Sequence, residues 1–436
     1  MLHQRKWRFL QLVGLLSMII LIISSCTNQQ RSITNRKDYM QFLQASTAEL
    51  DKIDRDIAFW SNKLKEDSSH TGAQSKLAGL YNRRFHFSGN INELFTATGY
   101  YEQANRLQKL FTASTYRQLA TLSITQHRFW QAKFYLDSAY RLGDNLAYTL
   151  LQQFDAELEL GNAAAAEKIL NRYPQQQSFE VLIRKAKLSD HNGNLDKAIE
   201  LLEQALAKIT LTNNPHEWSW AKSNLGDYYS HANRFTDAYN AYLAVLKEEP
   251  QNYHCLKGIA WLAFSKDRNT AAAKEILMFL KEQHPVPDYD WMLAEIAAFE
   301  KDETAQKNHL AAFEQTTTGK IYGAMYNKYL FALYADETKD YAKALTIAQE
   351  EIKNRPVPAS FDMLSWVHYR QGNFKEALAI AKANVENRCF EPDVLYHLAL
   401  IYKANNQTDK YNELMKEVST AIFELGPLFE KELQNS

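Results

Sequence analysis

One pattern recurs ten times along this 436-residue chain. In each copy an apolar residue precedes a small one, and a turn, an aromatic residue and an alanine follow. The gaps between successive copies are 32 to 42 residues, and four of the nine gaps are 34. A period near 34 residues is typical of helical hairpins stacked side by side, so the repeat predicts the fold before any other feature is considered. The small positions, with Phe154 as the large exception, are Ala78, Ala120, Phe154, Ala186, Gly226, Ala260, Ala294, Ala332, Ser365 and Ala399.

Helix-breaking residues are few, and they are placed where such hairpins would end. The chain has 14 glycines and 9 prolines, and 46% of its residues are hydrophobic. Proline disrupts a helix interior because it lacks a backbone N–H and clashes with the preceding turn. The placement of all nine at predicted helix edges therefore favours an all-α fold. They are Pro174, Pro215, Pro250, Pro285, Pro287, Pro356, Pro358, Pro392 and Pro427.

The copy from Trp218 to Pro250 is the clearest. It resembles the tetratricopeptide repeat at nearly every signature position. Gly226 and Ala238 are predicted to let the two helices of a hairpin approach closely, and Asn233 to take the left-handed backbone of the turn. The resemblance covers about residues 73–420. It implies an all-α solenoid of about ten hairpins, wound as a right-handed superhelix. The matching residues are Leu225, Gly226, Tyr229, Asn233, Phe235, Ala238, Tyr242 and Pro250.

The resemblance and its flanking sequences divide the chain into five parts. A cap is expected after the repeats, because the last hairpin of a stack would otherwise expose its apolar face. The parts are a signal peptide (1–25), a lipidated cysteine with a polar linker (26–37), a single N-terminal helix (38–70), the repeat solenoid (71–420) and a C-terminal capping helix (421–436).

The first 26 residues have the features of a bacterial export signal. Basic residues precede an uncharged apolar run, Leu12–Ile23, which is shorter than a membrane-spanning helix. The Ser-Ser-Cys sequence ending at Cys26 resembles a lipobox. That resemblance implies cleavage before Cys26, lipidation of this cysteine and attachment to the cell envelope. By analogy with lipoprotein sorting, Thr27 in place of an aspartate implies the outer membrane, facing the periplasm. An uncleaved anchor with an incidental cysteine is the alternative.

No motif for catalysis or cofactor binding stands out. The net charge of −1, from 50 basic and 51 acidic residues, argues against a nucleic-acid partner, whose phosphates need a basic surface. The histidines lack the spacing of a helical zinc site, and paired-cysteine and phosphate-loop motifs are missing. Cys255 and Cys389 lie in different repeats and are predicted to be small buried residues, not a disulfide. We therefore expect no enzyme activity, no catalytic residue, no metal and no cofactor.

Aromatic residues recur on the first helices of the last five hairpins. In tetratricopeptide stacks these helices line the concave face, so the resemblance implies that their outward positions face a groove. Aromatic and arginine side chains are enriched where proteins anchor partners. The alternative is that these aromatics are core residues between hairpins. The residues predicted to bind a partner are Trp261, Phe264, Trp291, Tyr326, Tyr329, Trp366, Tyr369, Tyr396, Lys257 and Arg370.

Together these features predict a lipid-anchored periplasmic scaffold that binds a protein or peptide in its concave groove. The alternative is a glycan-binding outer-membrane lipoprotein similar to the starch-uptake class, with sugar rings stacked on the same aromatic faces. Some tetratricopeptide proteins clamp a C-terminal carboxylate with lysine, asparagine and arginine. Lys187 and Lys257 are isolated from such neighbours, so we do not expect binding of extended C-terminal acidic tails.

Overall fold

The computed structural model describes residues 32–107, 112–319 and 321–435. Within these ranges there are 23 α-helices and no β-strand. Three helices flank the repeats: α1 (Arg36–Tyr39), α2 (Ala48–Glu66) and α23 (Ile422–Asn435). The predicted lipidation site, Cys26, lies outside the described residues. None of the described helices combines the length and the apolar character that crossing a membrane requires.

The other twenty helices pair as ten consecutive hairpins, which confirms the predicted α-solenoid. Two π-helical turns, Leu262–Lys266 and Leu333–Glu337, extend the first helices of hairpins 6 and 8. The hairpins, in chain order, are α3 (Thr71–Ser88) with α4 (Asn92–Leu107), α5 (Ala113–Thr125) with α6 (Phe129–Leu142), α7 (Leu146–Glu159) with α8 (Ala163–Arg172), α9 (Phe179–His191) with α10 (Leu195–Leu206), α11 (Pro215–His231) with α12 (Phe235–Glu248), α13 (Tyr253–Trp261) with α14 (Thr270–Gln283), α15 (Asp288–Glu300) with α16 (Glu303–Thr317), α17 (Asn327–Ala332) with α18 (Tyr341–Asn354), α19 (Pro358–Arg370) with α20 (Phe374–Asn384), and α21 (Pro392–Ala404) with α22 (Thr408–Val418).

The signature positions of the repeat lie inside the stack. Nine of the ten are buried and the tenth, Ala332, is half-buried. Each lies on the first helix of its hairpin, where a larger side chain would separate the helices. At Gly226 an added Cβ would lie 2.6 Å from the ring of Tyr242. Tyr242 is itself buried and donates a hydrogen bond to Asp227 over 2.7 Å. The close approach that the sequence predicts at Gly226 is therefore present.

Every hairpin turn contains one residue in the left-handed backbone conformation. In hairpin 5 this residue is Asn233, with φ of 58°, as predicted. The turn is closed by a hydrogen bond from the Arg234 N–H to the Tyr229 carbonyl over 2.7 Å. Only four of the ten residues are glycine, and a left-handed residue that bears a side chain costs about 1–2 kcal/mol. The ten are Gly89, His127, Gly161, Gly193, Asn233, Arg268, Lys301, Lys339, Gly372 and Asn406.

The superhelix is wound tightly enough for its successive turns to touch, and we call this contact the seam. The turn within each of hairpins 1 to 5 lies against the loop that follows the hairpin five places later. An ion pair between Arg355 and Glu159 (2.7 Å) adds to the seam. One superhelical turn therefore takes between five and six hairpins. The seam pairs are Gly89 with Val286, His127 with Ala324, Gly161 with Pro356, Gly193 with Phe390 and Asn233 with Thr420.

The residues before α2 are bound to the surface of hairpins 5 and 6. Asp267, in the turn of hairpin 6, accepts hydrogen bonds from the backbone N–H groups of Ile33 and Thr34, both over 2.8 Å. Tyr39 and Phe42 enter the core that hairpins 4 to 7 share. Residues 32–37 of the predicted linker therefore lie against the solenoid instead of extending away from it.

The single helix predicted over residues 38–70 is divided in two, so that prediction is wrong in detail. A 3₁₀ turn, Met40–Phe42, ends the first piece, and α2 begins only at Ala48. The two pieces have different neighbours, because the first packs on hairpins 5 and 6 whereas α2 packs on α3. The chain changes direction at Ser46 and Thr47, residue types that favour helix starts over helix interiors.

Helix α23 follows hairpin 10 but also extends over hairpins 5 to 7. Its Phe429 packs with Leu395 and Val418 of hairpin 10, as a cap would. Its Phe423 joins the core that hairpins 4 to 7 share. Gly426, with φ of 84° and ψ of 171°, breaks the helix between these two aromatic residues. Helix α23 thus continues the seam beyond the tenth hairpin.

Replacing Gly161 with alanine tests the seam. An added Cβ there would lie 2.8 Å from the Pro356 carbonyl oxygen. Gly372 is the matched control, because it has a similar φ and also precedes an asparagine, but nothing lies within 4 Å of its Cβ position. We expect both Gly→Ala variants to lose about 1 kcal/mol of unfolding free energy through backbone strain. Gly161→Ala should lose a further ~1–3 kcal/mol in urea denaturation; equal losses would contradict the contact.

Candidate functional site: an aromatic pocket in hairpins 8 to 10

A pocket of about 500 Å³ lies between hairpins 8, 9 and 10 and the end of α23. We call it the distal pocket. It contains four of the ten residues that the sequence predicts to bind a partner, namely Trp366, Tyr369, Arg370 and Tyr396. The complete lining is Asp336, Trp366, Tyr369, Arg370, Tyr396, His397, Leu400, Lys403, Tyr411, Met415 and Leu433.

Trp366 organises the wall of the distal pocket. The rings of Tyr369 and His397 both stack on it, with centroid distances of 4.7 and 3.8 Å. The indole N–H donates to Asp336 over 3.0 Å. Only 4% of Trp366 is exposed, so its faces are already used by neighbouring rings. Trp366 therefore fixes the positions of Tyr369 and Arg370, which follow it on α19 and are more accessible to solvent.

The charged groups of the distal pocket are mostly cationic. Arg370 pairs with Asp336 at 3.4 Å and lies 5.7 Å above the Trp366 ring. The exposed Lys403 has its ammonium 4.7 Å from the centroid of Tyr411. His397 Nδ1 lies 2.8 Å from a carboxylate oxygen of Asp362, outside the lining. Burial lowers the pKa of His397, but the charge of Asp362 and its hydrogen bond outweigh this and raise the pKa above its usual value.

Four other predicted residues form a separate, more buried network between hairpins 6, 7 and 8. Tyr326 is buried and donates to Asp288 over 2.6 Å, and Lys257 reaches the same carboxylate at 3.3 Å. Trp291 and Tyr329 are half-buried and contact each other with ring centroids 5.3 Å apart. These side chains fill the space between neighbouring hairpins. They therefore fit the alternative that the predicted aromatic residues are core residues.

Trp261 and Phe264 are covered by the chain itself. Phe264 is 1% exposed and belongs to the core of hairpins 4 to 7, so its prediction as a groove residue is wrong. The π-helical turn that begins at Leu262 shifts the helical register by one residue. The positions predicted from the repeat assumed a regular α-helix and did not include this shift. Trp261 is half-buried, and Phe423 of α23 lies against it with ring centroids 6.4 Å apart.

Sequence reasoning missed seven lining residues of the distal pocket. Most come from α21 and α22 of the last hairpin, whose repeat pattern is degenerate. One signal was available: Tyr411 stands where the repeat usually has alanine. A large residue at a close-packing position must either separate the helices or line a space beside them. The missed residues are Asp336, His397, Leu400, Lys403, Tyr411, Met415 and Leu433.

The described residues contain no group of three or more His, Cys, Asp or Glu side chains that could hold a metal ion. Cys255 is buried and Cys389 is half-buried, and both are free thiols. Burial raises the pKa of each thiol, to about 12 for Cys389. A protonated, buried thiol is a weak nucleophile, so both cysteines act as packing residues.

Residues 223–298, in hairpins 5 to 7, match a family model described as tetratricopeptide repeat. Hairpins 5 to 7 therefore match the tetratricopeptide repeat, within a stack of ten helical hairpins. No curated protein matches the chain.

Several solved structures align with this chain at 14% identity. IFIT1, solved as a monomeric mutant with Gppp-AAAA, aligns over 83% of this chain and 75% of its own, with a TM-score of 0.44. PilF of Pseudomonas aeruginosa aligns over 50% of this chain and 97% of its own, with a TM-score of 0.36. Yeast Tom70 aligns over 84% of this chain and 94% of its own, with a TM-score of 0.35. These likenesses concern the fold alone.

The ion pair of His397 with Asp362 predicts a pH-dependent stability. Because the folded state raises the pKa of His397, the pair stabilises the fold fully below about pH 6.5, the unfolded value, and this stabilisation is lost as the pH rises through the folded value. We expect the wild type to exceed His397→Gln in unfolding free energy by a margin that shrinks with rising pH, measured by urea denaturation. A pH-independent margin for His397→Gln would contradict the assignment.

Proposed function

We propose that this chain is a non-catalytic, lipid-anchored scaffold of the bacterial outer membrane, facing the periplasm, that binds a segment of a partner protein in the distal pocket. The observation that carries the proposal is the convergence of Trp366, Tyr369, Arg370 and Tyr396 on one pocket of about 500 Å³. Helical-repeat proteins use surfaces shared by several hairpins to bind extended partners. Aromatic residues and arginine are the types that most often dominate binding energy at such surfaces.

The chemistry of the distal pocket favours a segment with an apolar side chain next to an acidic group. Tyr369, Tyr396 and Leu400 offer apolar area, whereas Arg370 and Lys403 offer two cations against the single lining carboxylate of Asp336. A stacked sugar would need a free aromatic face, and the Trp366 ring is already stacked. We therefore favour a protein segment over a glycan.

The anchoring part of the proposal rests on Cys26 and on the docked segment that follows it. Ser32 donates a hydrogen bond from its hydroxyl to Asp267 in the turn of hairpin 6 over 2.8 Å. The six residue steps from Cys26 to Ser32 span at most about 20 Å. A lipidated Cys26 would thus hold the turn of hairpin 6 within about 20 Å of the membrane surface.

Replacing Cys26 with serine tests the anchor. Each buried methylene of an acyl chain contributes about 0.8 kcal/mol, so loss of the lipid should release the protein to the soluble fraction. The measurement is fractionation of bacterial envelopes followed by immunoblotting. Cys389→Ser is the matched control and should stay with the membranes. Membrane retention of Cys26→Ser would contradict lipidation at this residue.

A double substitution in the distal pocket tests partner binding. We expect Arg370→Ala with Tyr396→Ala to reduce recovery of a cross-linked partner from envelope extracts by at least about tenfold, because both side chains line the pocket. The matched control replaces Arg141 and Tyr148, an exposed arginine and an exposed tyrosine of hairpins 2 and 3.

Two outcomes would overturn the proposal for the distal pocket. Equal recovery from the wild type and the Arg370→Ala, Tyr396→Ala variant would show that partners bind elsewhere. Binding of the wild type to an oligosaccharide panel, together with no captured protein, would favour the glycan alternative.

A further inference from the structure

Helix α23 is seated on a surface that belongs to hairpins distant from it in sequence. We call this surface the helix seat; it is formed by Phe235, Trp261, Ser265, Arg268 and Phe299. The Phe423 ring lies 4.8 Å from that of Phe235 and 6.4 Å from that of Trp261. The Ser265 hydroxyl donates to the Phe423 carbonyl over 2.6 Å.

The second half of α23 is held by charge. Arg268 forms an ion pair with Glu430. Lys431 places its ammonium 3.7 Å from the centroid of Phe299 and donates to the Phe299 carbonyl over 3.1 Å. The helix seat therefore selects an aromatic residue followed, seven and eight positions later, by an acidic and a basic residue. The aromatic contact and the charged contacts lie on either side of the helix break at Gly426.

The seated helix also carries a feature that opposes its own docking. Glu424 points toward a cavity of about 300 Å³ that Asp190, Glu391 and His231 also line. Burial raises the pKa of Glu424 to about 8, and the carboxylates of Glu391, Asp190 and Asp393 add to this, whereas Lys328 opposes it. The His231 ring comes within 3.7 Å of the Glu424 carboxylate.

The raised pKa fixes the direction in which pH changes the docking. The seated state binds its proton more tightly than the released state, whose pKa is near 4.3. Docking of α23 therefore weakens as the pH rises from about 4.3 to about 8. The break at Gly426 further limits how much helix the segment gains by docking. Helix α23 thus matches the helix seat in shape and charge, but Glu424 and the break at Gly426 weaken its docking.

We propose that the helix seat is a docking surface for a helical segment of a partner protein, and that α23 is the internal competitor that such a segment displaces. The partner segment presents an aromatic residue for the space between Phe235 and Trp261, and an acidic residue for Arg268. The inference rests on the proposed function only in that the chain binds protein segments. The helix seat and the distal pocket share no side chain of the solenoid.

The test uses the full chain and a fluorescein-labelled synthetic peptide of residues 421–436, with binding followed by fluorescence anisotropy. Phe423→Ala weakens the resident helix and leaves the seat intact, so we expect it to bind the peptide at least about tenfold more tightly than the wild type. Adding Trp261→Ala should remove this gain. Phe374→Ala, at an exposed phenylalanine elsewhere, is the control and should equal the wild type.

A second variant acts in the opposite direction and keeps the test valid if Phe423→Ala fails to fold, which circular dichroism would reveal. Glu424→Gln removes the titrating carboxyl, so at pH 8 it should hold α23 more firmly and bind the peptide more weakly than the wild type. Peptide binding that is the same in the wild type, Phe423→Ala and Glu424→Gln would overturn the proposal. That failure would leave the distal pocket untouched, because its test depends on Arg370 and Tyr396.

Discussion

The seam between successive turns of the superhelix is the contact on which the rest of the structure depends. Neighbouring hairpins fix only their own relative positions, so an open array could flex along its whole length. In this chain the turn of hairpin 3 meets the loop after hairpin 8, with Gly161 against Pro356 and Glu159 paired to Arg355. This closure brings α23 onto hairpins 5 to 7. The same helix carries Leu433, which lines the distal pocket.

The hairpins themselves could be predicted because they depend on contacts between residues close in sequence. Gly226 against Tyr242 is an example, since the glycine, the aromatic ring and the left-handed Asn233 all belong to one hairpin. The seam could not be predicted in this way. It results from small rotations between neighbouring hairpins that accumulate over five repeats, and no local pattern records their sum. The division of the predicted N-terminal helix also depends on contacts between residues distant in sequence, because Tyr39 and Phe42 pack in the core of hairpins 4 to 7.

The candidate site was predicted in part, for reasons that individual residues make clear. Trp366, Tyr369, Arg370 and Tyr396 converge because they lie near one another on first helices of adjacent hairpins. Tyr326 has the same residue type as Tyr396, but it lies just before its helix and is buried against Asp288. A rotation of one residue, about 100° around a helix, decides between groove and core, and the π-helical turn at Leu262 supplies such a change for Phe264. The core alternative therefore describes Phe264 and Tyr326, whereas Trp366, Tyr369 and Tyr396 line a pocket, where partner binding stays a prediction.

The seam also changes the mechanical character of the molecule. An ordinary repeat array behaves as a spring whose ends fray independently, since each hairpin interacts only with its neighbours. Here Glu159 and Arg355 join segments that lie almost half a chain apart. A force applied to either end is therefore transmitted through the seam to the other superhelical turn. Loss of one hairpin likewise removes a contact from the chain five hairpins away. The molecule is thus closer to a closed coil than to an open spring, because the first five hairpins also contact the chain five hairpins later.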